Sequence, residues 1–263
     1  MKPVCDCISD LHMGDGGPRD NFAYGSRACE FNAFLDAVEV QGTTLVICGD
    51  LFEFWQANLS AVITYRKPLL DRLARLGAIY IPGNHDADLS YFIGRKWLTH
   101  PFFRTMRLCH TITVAYRTFH FYHGHEEDPY CCTDRPGIGR ISAIYAGLKE
   151  DRNGGPMLDK HKTVEDMTVG RIERCMSAVR KLFGLPGRVE TLNARWLRRV
   201  PQDDAIVFGH THSPGQKDGK LFNCGSWAET RNGFVRIYDD GSVHVMDWIN
   251  CQAVPNETEL RAP

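Results

Sequence analysis

Thr44-Leu45-Val46-Ile47-Cys48-Gly49-Asp50 is an apolar run of strand length that closes on a glycine and an acid. Branched and apolar side chains over so short a span favour a β-strand. The glycine leaves little bulk behind Asp50, so a carboxylate stands at the mouth of a sheet. The same form recurs along the chain. Residues 4–9 precede Asp10-Leu11-His12, and residues 78–82 precede Gly83-Asn84-His85-Asp86. Residues 118–122 precede His123-Gly124-His125, and residues 205–208 precede Gly209-His210-Thr211-His212. Between the first two strands Phe31, Phe34, Leu35 and Val38 repeat at helical spacing. Residues 65–76 carry a second helical pattern with Pro68 near its first turn. Strands alternating with helices predict an α/β fold with a largely parallel sheet at the start, whose ligands gather beyond the carboxyl ends of the strands.

Further along, the pattern changes. Residues 221–224, 234–238 and 242–248 read as short strands, the last two joined by an Asp240-Gly241 turn. They predict a second, more antiparallel sheet packed on the first. Between the fourth and fifth motifs, residues 141–149, 159–183 and 189–200 look helical, with Val164, Met167, Ile172, Cys175, Met176 and Val179 roughly on one face. The expected organisation is a core of residues 1–134 and 200–252, a helical cap inserted at 135–199, and a loose tail at 253–263.

At 263 residues and 43% hydrophobic content the chain can bury a sizeable core. Its net charge of −1 favours no partner class by itself. Residues 135–199, however, hold 14 Lys/Arg against 7 Asp/Glu, so this stretch is +7 and the remainder about −8. Solvated helical faces or a basic surface for an anionic ligand or membrane both fit that excess. Ten cysteines occur without a Cys-x-x-Cys spacing, which reads as reduced thiols packed as small hydrophobes. The first strand starts without a signal-peptide pattern, and no apolar run approaches the roughly 18 residues of a membrane span. A cytoplasmic protein is expected, with peripheral contact at the inner face of a membrane left open.

The motif residues supply carboxylates, an amide and imidazoles, the oxygen and nitrogen set that suits first-row divalent metals. Taken singly, Asp10, Asp50 and Asn84 also fit turn or cap residues, and His210 and His212 fit surface histidines. Together, at one topological edge, they read as a two-metal site, the usual machinery for attack on a phosphate ester. His100, His110, His120, His161 and His244 have no such setting.

With these motifs the chain resembles the calcineurin-like metallophosphoesterases, across residues 10–212. The resemblance implies a two-sheet β-sandwich flanked by helices around a binuclear centre of divalent ions, Mn²⁺ foremost, with Fe, Zn²⁺ or Co²⁺ as other occupants. One metal would be held by Asp10, His12 and His212 with Asp50 bridging, the second by Asp50, Asn84, His123 and His210. A bridging hydroxide would attack phosphorus, with His85 stabilising the phosphate or protonating the leaving oxygen. Glu53 stands where family members place an acid that supports this histidine, and Asp86 is the rival partner. His123 and His125 leave the same strand with the same parity, so either could be the ligand; the resemblance favours His123 and leaves His125 behind it or against the substrate.

Residues 9–14, 49–55 and 223–227 further resemble the bacterial UDP-2,3-diacylglucosamine pyrophosphatases, in which a helical insertion covers a lipid-bearing nucleotide sugar of lipid A synthesis. The best-known branch has arginine at the position of His85, and a sister group keeps histidine. The implied substrate is a phosphorylated small molecule or a lipid-linked nucleotide, with Met157, Met167, Met176, Leu182 and Phe183 either lining an acyl groove or packing the cap. A general phosphodiesterase or nuclease of the same fold is the alternative. The overall charge gives no strong nucleic-acid signal, and a non-enzymatic scaffold is disfavoured because all seven ligand positions are kept.

Overall fold

The computed structural model describes residues 1–23, 25–95, 99–128, 131, 186–201, 203–228 and 231–260. Most of the expected cap, including its first two helices and its methionine faces, lies outside the described residues.

The chain begins with β1 (Pro3–Ile8), α1 (Arg27–Gln41) and β2 (Thr44–Cys48), a right-sized unit for parallel pairing, and β1 and β2 pair in parallel. α1 buries Phe31, Phe34, Leu35 and Val38, the residues whose spacing marks the helix. It ends at Gly42, whose left-handed φ of 65° lets its N–H return to Val38 and Glu39. The helical pattern over 65–76 is α3 (Lys67–Arg75), and a helix that the sequence did not mark, α2 (Leu59–Tyr65), precedes it with a break at Arg66. Pro68 explains the break: it has no N–H for the Thr64 carbonyl, yet is tolerated in the first turn of α3. At the junction Arg66 donates from Nε to Gly14 O at 2.9 Å and pairs with buried Asp20, pinning the loop after β1. β3 (Ile79–Ile81) then pairs in parallel with β2.

The remaining strands are β4 (His110–Val114), β5 (Arg117–Phe121), β6 (Ala205–Phe208), β7 (Gly215–Lys217), β8 (Leu221–Asn223), β9 (Asn232–Tyr238), β10 (Val243–Ile249) and β11 (Gln252–Pro255). They do not form a separate C-terminal sheet. β9, β10 and β11 extend the first sheet in the order β11-β10-β9-β1-β2-β3, while the second runs β4-β5-β6-β8-β7. The physical reason is the edge of β1 left open by β2. β9 closes it antiparallel with Arg236 opposite Asp6. Arg236 Nε and Nη2 reach the two Asp6 oxygens at 2.7 and 3.0 Å, so a bidentate ion pair marks this register. The five motif strands are therefore divided, β1 to β3 in one sheet and β5 and β6 in the other.

Three apolar layers hold this arrangement. Between the sheets lie Cys7, Val46, Cys48, Phe119, Phe121, Val207, Cys224 and Val235. The outer face of the first sheet packs Phe31, Phe34 and Trp227 among others. On the outer face of the second, Trp196 of α4 (Arg188–Arg199) meets Ile206, Phe208 and Leu221. α4 is the helix expected over 189–200. Cys7 Sγ lies 3.2 Å from Cys48 Sγ and 3.4 Å from Cys224 Sγ, all three as free thiols, and burial pushes Cys48 up to about 11. They pack as small hydrophobes.

The expected loose tail is docked through residue 260. β11 pairs with β10, Leu260 is 4% exposed, and its N–H donates to Gln216 O at 2.7 Å. Asn250 and Cys251 at φ 50° and 60° make the tight turn that returns the chain to the sheet. Among the described residues no helix is long and apolar enough to cross a membrane.

Candidate metal centre

The motif residues sit on backbone that most side chains avoid. Asp10, His12, Asp50, His210 and His212 have φ of 56°, 48°, 49°, 64° and 53°, five of the nine non-glycine residues at positive φ among those described. Each such conformation costs about 1–3 kcal/mol and persists only where the surroundings impose it. Here the two sheets impose it. Asp10 N–H donates to Gly49 O, and the N–H groups of Leu11 and His12 both reach Asp50 O at 2.9 Å. Asp10 O accepts from Trp227 N–H and Ser226 Oγ, each at 3.0 Å. Asn223 Nδ2 donates to Gly209 O and Thr211 Oγ1, bracing the turn that carries both terminal histidines. Gly209 is there because no Cβ fits: one would lie 1.9 Å from Ser9 Oγ and 2.4 Å from Asp10 Oδ2.

Asp10, His12 and His212 each bring one donor atom within 4.8 Å of the others. His12 Nε2 and His212 Nε2 are only 3.4 Å apart, and Asp10 Oδ1 lies 3.2 Å from His212 Nε2. That oxygen is buried and makes no hydrogen bond of good geometry, whereas Oδ2 accepts from His210 N–H at 2.8 Å. Two imidazole nitrogens converging on an unsatisfied buried carboxylate oxygen are the donor set of a divalent cation.

Asp50, 1% exposed, joins this group to the next. Its Oδ2 is 3.9 Å from His12 Nε2 and 3.2 Å from His123 Nε2, and Oδ1 accepts from His85 N–H at 2.8 Å. Asp10, Asp50 and His123 again bring donors within 4.8 Å. His123 donates from Nδ1 to Cys48 O at 2.8 Å, which leaves Nε2 to face Asp50 and Asn84 Oδ1, the latter at 2.9 Å. Burial disfavours charge on this ring, yet Asp50 and Asp10 hold it up to about 10. The acids of the site thus attract positive charge strongly, as a cation-binding pocket should. His210 lies beside His123, ring centroids 5.2 Å apart. These residues fit the two ions that the sequence resemblance implies.

Glu53 serves two rings at once. Its Oε2 accepts from His85 Nδ1 at 2.7 Å and from His12 Nδ1 at 3.0 Å, while Oε1 accepts from Trp55 N–H. Burial alone would raise its carboxyl, but His85 and His12 outweigh it and bring it down to about 2. Trp55 stacks on His85, centroids 3.7 Å apart and planes 24° from parallel, so the imidazole is fixed in plane and direction. Asp86 is engaged elsewhere. It accepts from Tyr80 Oη at 2.5 Å, Gly83 N–H at 2.6 Å and Phe52 N–H at 3.1 Å, tying together the loops after β2 and β3. Burial and the neighbouring Asp50 push its carboxyl up to about 6. His125 is 5% exposed with its ring centroid 5.2 Å from that of His123, and burial brings it down to about 4.

Glu53→Gln is expected to move the pH–rate profile. The amide removes the carboxylate that accepts from His85 Nδ1, so a limb that depends on this pair should move. A profile superimposable on the wild type would separate Glu53 from the proton-transfer step.

Two contributors escaped the sequence reading. Asn223 carries no local mark beyond its place in a resembling segment, and Asp128 belongs to an acidic run, Glu126-Glu127-Asp128, that reads as an ordinary loop. Asp128 is fully buried and accepts from His210 Nε2 at 2.9 Å. No local signal separates it from its two acidic neighbours. His100 and His120, set apart from the site by sequence, pair with Asp71 and Asp204.

The profile described as calcineurin-like phosphoesterase matches residues 6–214. Among solved structures, the chain is similar to a dimetal phosphatase from Danio rerio at 12% identity, with 98% of each chain covered and a TM-score of 0.47. Comparison with curated proteins gives no match.

Proposed function

The chain belongs to the calcineurin-like phosphoesterase family and is a metal-dependent phosphoester hydrolase; from this premise we propose that it cleaves the diphosphate of a lipid-bearing nucleotide sugar of the UDP-2,3-diacylglucosamine type. The observation that carries the hydrolytic chemistry is the convergence of Asp10, His12, Asp50, His123 and His212 into two donor groups that share one carboxyl-end edge. The narrower substrate is supported by residues 9–14, 49–55 and 223–227 and by the +7 charge of residues 135–199, which suits a diphosphate at an anionic membrane surface.

Asp10, His12, Asp50 and His212 would hold one ion, and Asp50, Asn84, His123 and His210 the other. Two bound divalent ions supply charge neutralisation at the phosphoryl oxygens and a water acidic enough to react near neutral pH. The protein's own groups set the rest. Glu53 fixes His85 through Nδ1, so Nε2 is the atom that hydrogen-bonds the phosphoryl group or gives a proton to the leaving oxygen. Trp55 covers one face of that ring and limits its motion. Mn²⁺ is the proposed physiological ion.

A substrate panel in Mn²⁺ tests this reading. Release of UMP from a UDP-diacylglucosamine, well above turnover of cyclic nucleotides and single-stranded DNA, is the expected result. Preference for either rival would assign a general phosphodiesterase or a nuclease instead. Full turnover of bis(p-nitrophenyl) phosphate by metal-stripped protein would refute the chemistry itself.

A further inference from the structure

We propose that Asp128 is a positioning residue for the second metal: it fixes the His210 ring through Nε2, and Arg188 of α4 holds it in place. The proposal rests on the ligand reading above.

Asp128 follows the short 3-10 turn His125–Glu127, and its N–H donates back to His125 O at 2.9 Å. The side chain is fully buried, where a carboxylate needs charged or hydrogen-bonding partners. It has two. His210 Nε2 donates at 2.9 Å to Oδ2, and the guanidinium of Arg188 pairs with the same oxygen. With Nε2 committed as a donor, Nδ1 is the nitrogen that His210 can offer a cation. Outer carboxylates of this kind set ring orientation and raise the basicity of ligand histidines. His12 and His123 are fixed by other acceptors, Glu53 and the Cys48 carbonyl. Asp128 completes the pattern for His210.

Asp128, Cys131 and His210 bring donor atoms within 4.8 Å, which raises the possibility of a third metal. Arg188 answers it. Its guanidinium already supplies the cation beside Asp128, and Nη2 is also 3.5 Å from Cys131 Sγ. A guanidinium set against both Asp128 and Cys131 repels a further cation from this cluster. The cluster supports a metal ligand and does not form a separate site.

Metal binding, measured by titration and by elemental analysis of the equilibrated protein, tests this without reference to turnover. Wild type should bind two Mn²⁺. Asp128→Ala should keep the tighter ion and bind the other at least about tenfold more weakly. Asp128→Asn, which retains an oxygen to accept from Nε2, should lose less. In a His210→Ala background, Asp128→Ala should add nothing. Circular dichroism establishes that each variant is folded; if Asp128→Ala is not, loss of affinity confined to one ion in Asp128→Asn is the expected result. Unchanged affinity for both ions in the folded variants overturns the positioning role and leaves the ligand set standing. A third wild-type equivalent that Asp128→Ala removes also overturns it. Fewer than two ions in wild type rejects the ligand reading, and the proposal falls with it.

Discussion

Asp50→Ala should abolish phosphoester turnover and deplete both metals, with kcat reduced by about a thousandfold or more. Asp50 is a carboxylate near both groups, with Oδ2 3.9 Å from His12 Nε2 and 3.2 Å from His123 Nε2. Its loss therefore weakens two ion sites at once, and metal-derived stabilisation worth about 4 kcal/mol corresponds to that thousandfold. The variant also releases His85 N–H from Oδ1, loosening the loop that carries Asn84 and His85. The fold should survive, because the layers on either side of the first sheet are apolar and do not depend on this acid. Alanine is strained at the φ of 49° found here, so Asp50→Asn is the better-tolerated companion. Metal content and turnover of bis(p-nitrophenyl) phosphate measure the outcome. Turnover within tenfold of wild type, with both ions retained, would exclude Asp50 as the shared ligand.

Arg236→Ala should be the most damaging substitution for stability away from the site, at about 3–5 kcal/mol. Arg236 and Asp6 face each other across β9 and β1, at 7% and 0% exposure, with both carboxylate oxygens engaged by the guanidinium. Thr43 Oγ1 adds a third bond to Asp6 Oδ2 at 2.9 Å. Removing the cation leaves a buried carboxylate with one hydroxyl for support. For a chain of this size, a loss of this order lowers the midpoint of thermal unfolding by about 10 °C. Replacing both partners by leucine should cost much less than the sum of the single changes, because no charge is then stranded in the sheet. Thermal and urea unfolding of the two single variants and the double variant measure this. Additive effects would mean that the pair contributes only through packing.

The Asp6–Arg236 pair also shows where reading the chain alone stopped. Asp6 lies inside an apolar strand pattern with nothing nearby to neutralise it, and its partner comes 230 residues later. The local patterns of 234–238 and 242–248 correctly mark strands, but local pattern carries no information about which edge a strand will join. The start of the helix at Pro68 was legible, since tolerance of proline in a first turn is a property of the residue itself. The helical character of 189–200 was legible for the same kind of reason, as Leu192 and Trp196 recur at helical spacing.

The candidate ligands divide in the same way. Asp10, His12, Asp50, Asn84, His123, His210 and His212 could be picked out because each follows a strand, and strand ends of such a fold share an edge. Residue type and distance from the strand end are local, so the sequence alone determined the chemistry of the site. Tertiary structure decided how those side chains are held. Glu53 serving both His12 and His85, Asp86 bound by Tyr80 and two backbone amides, Asn223 bracing the last motif and Asp128 holding His210 are contacts between remote segments. So is the left-handed backbone at five motif residues, which no isolated segment would adopt and which the two packed sheets impose. A strand end specifies which atoms it can offer; only the neighbouring strands, fixing its backbone and its hydrogen bonds, specify where those atoms point.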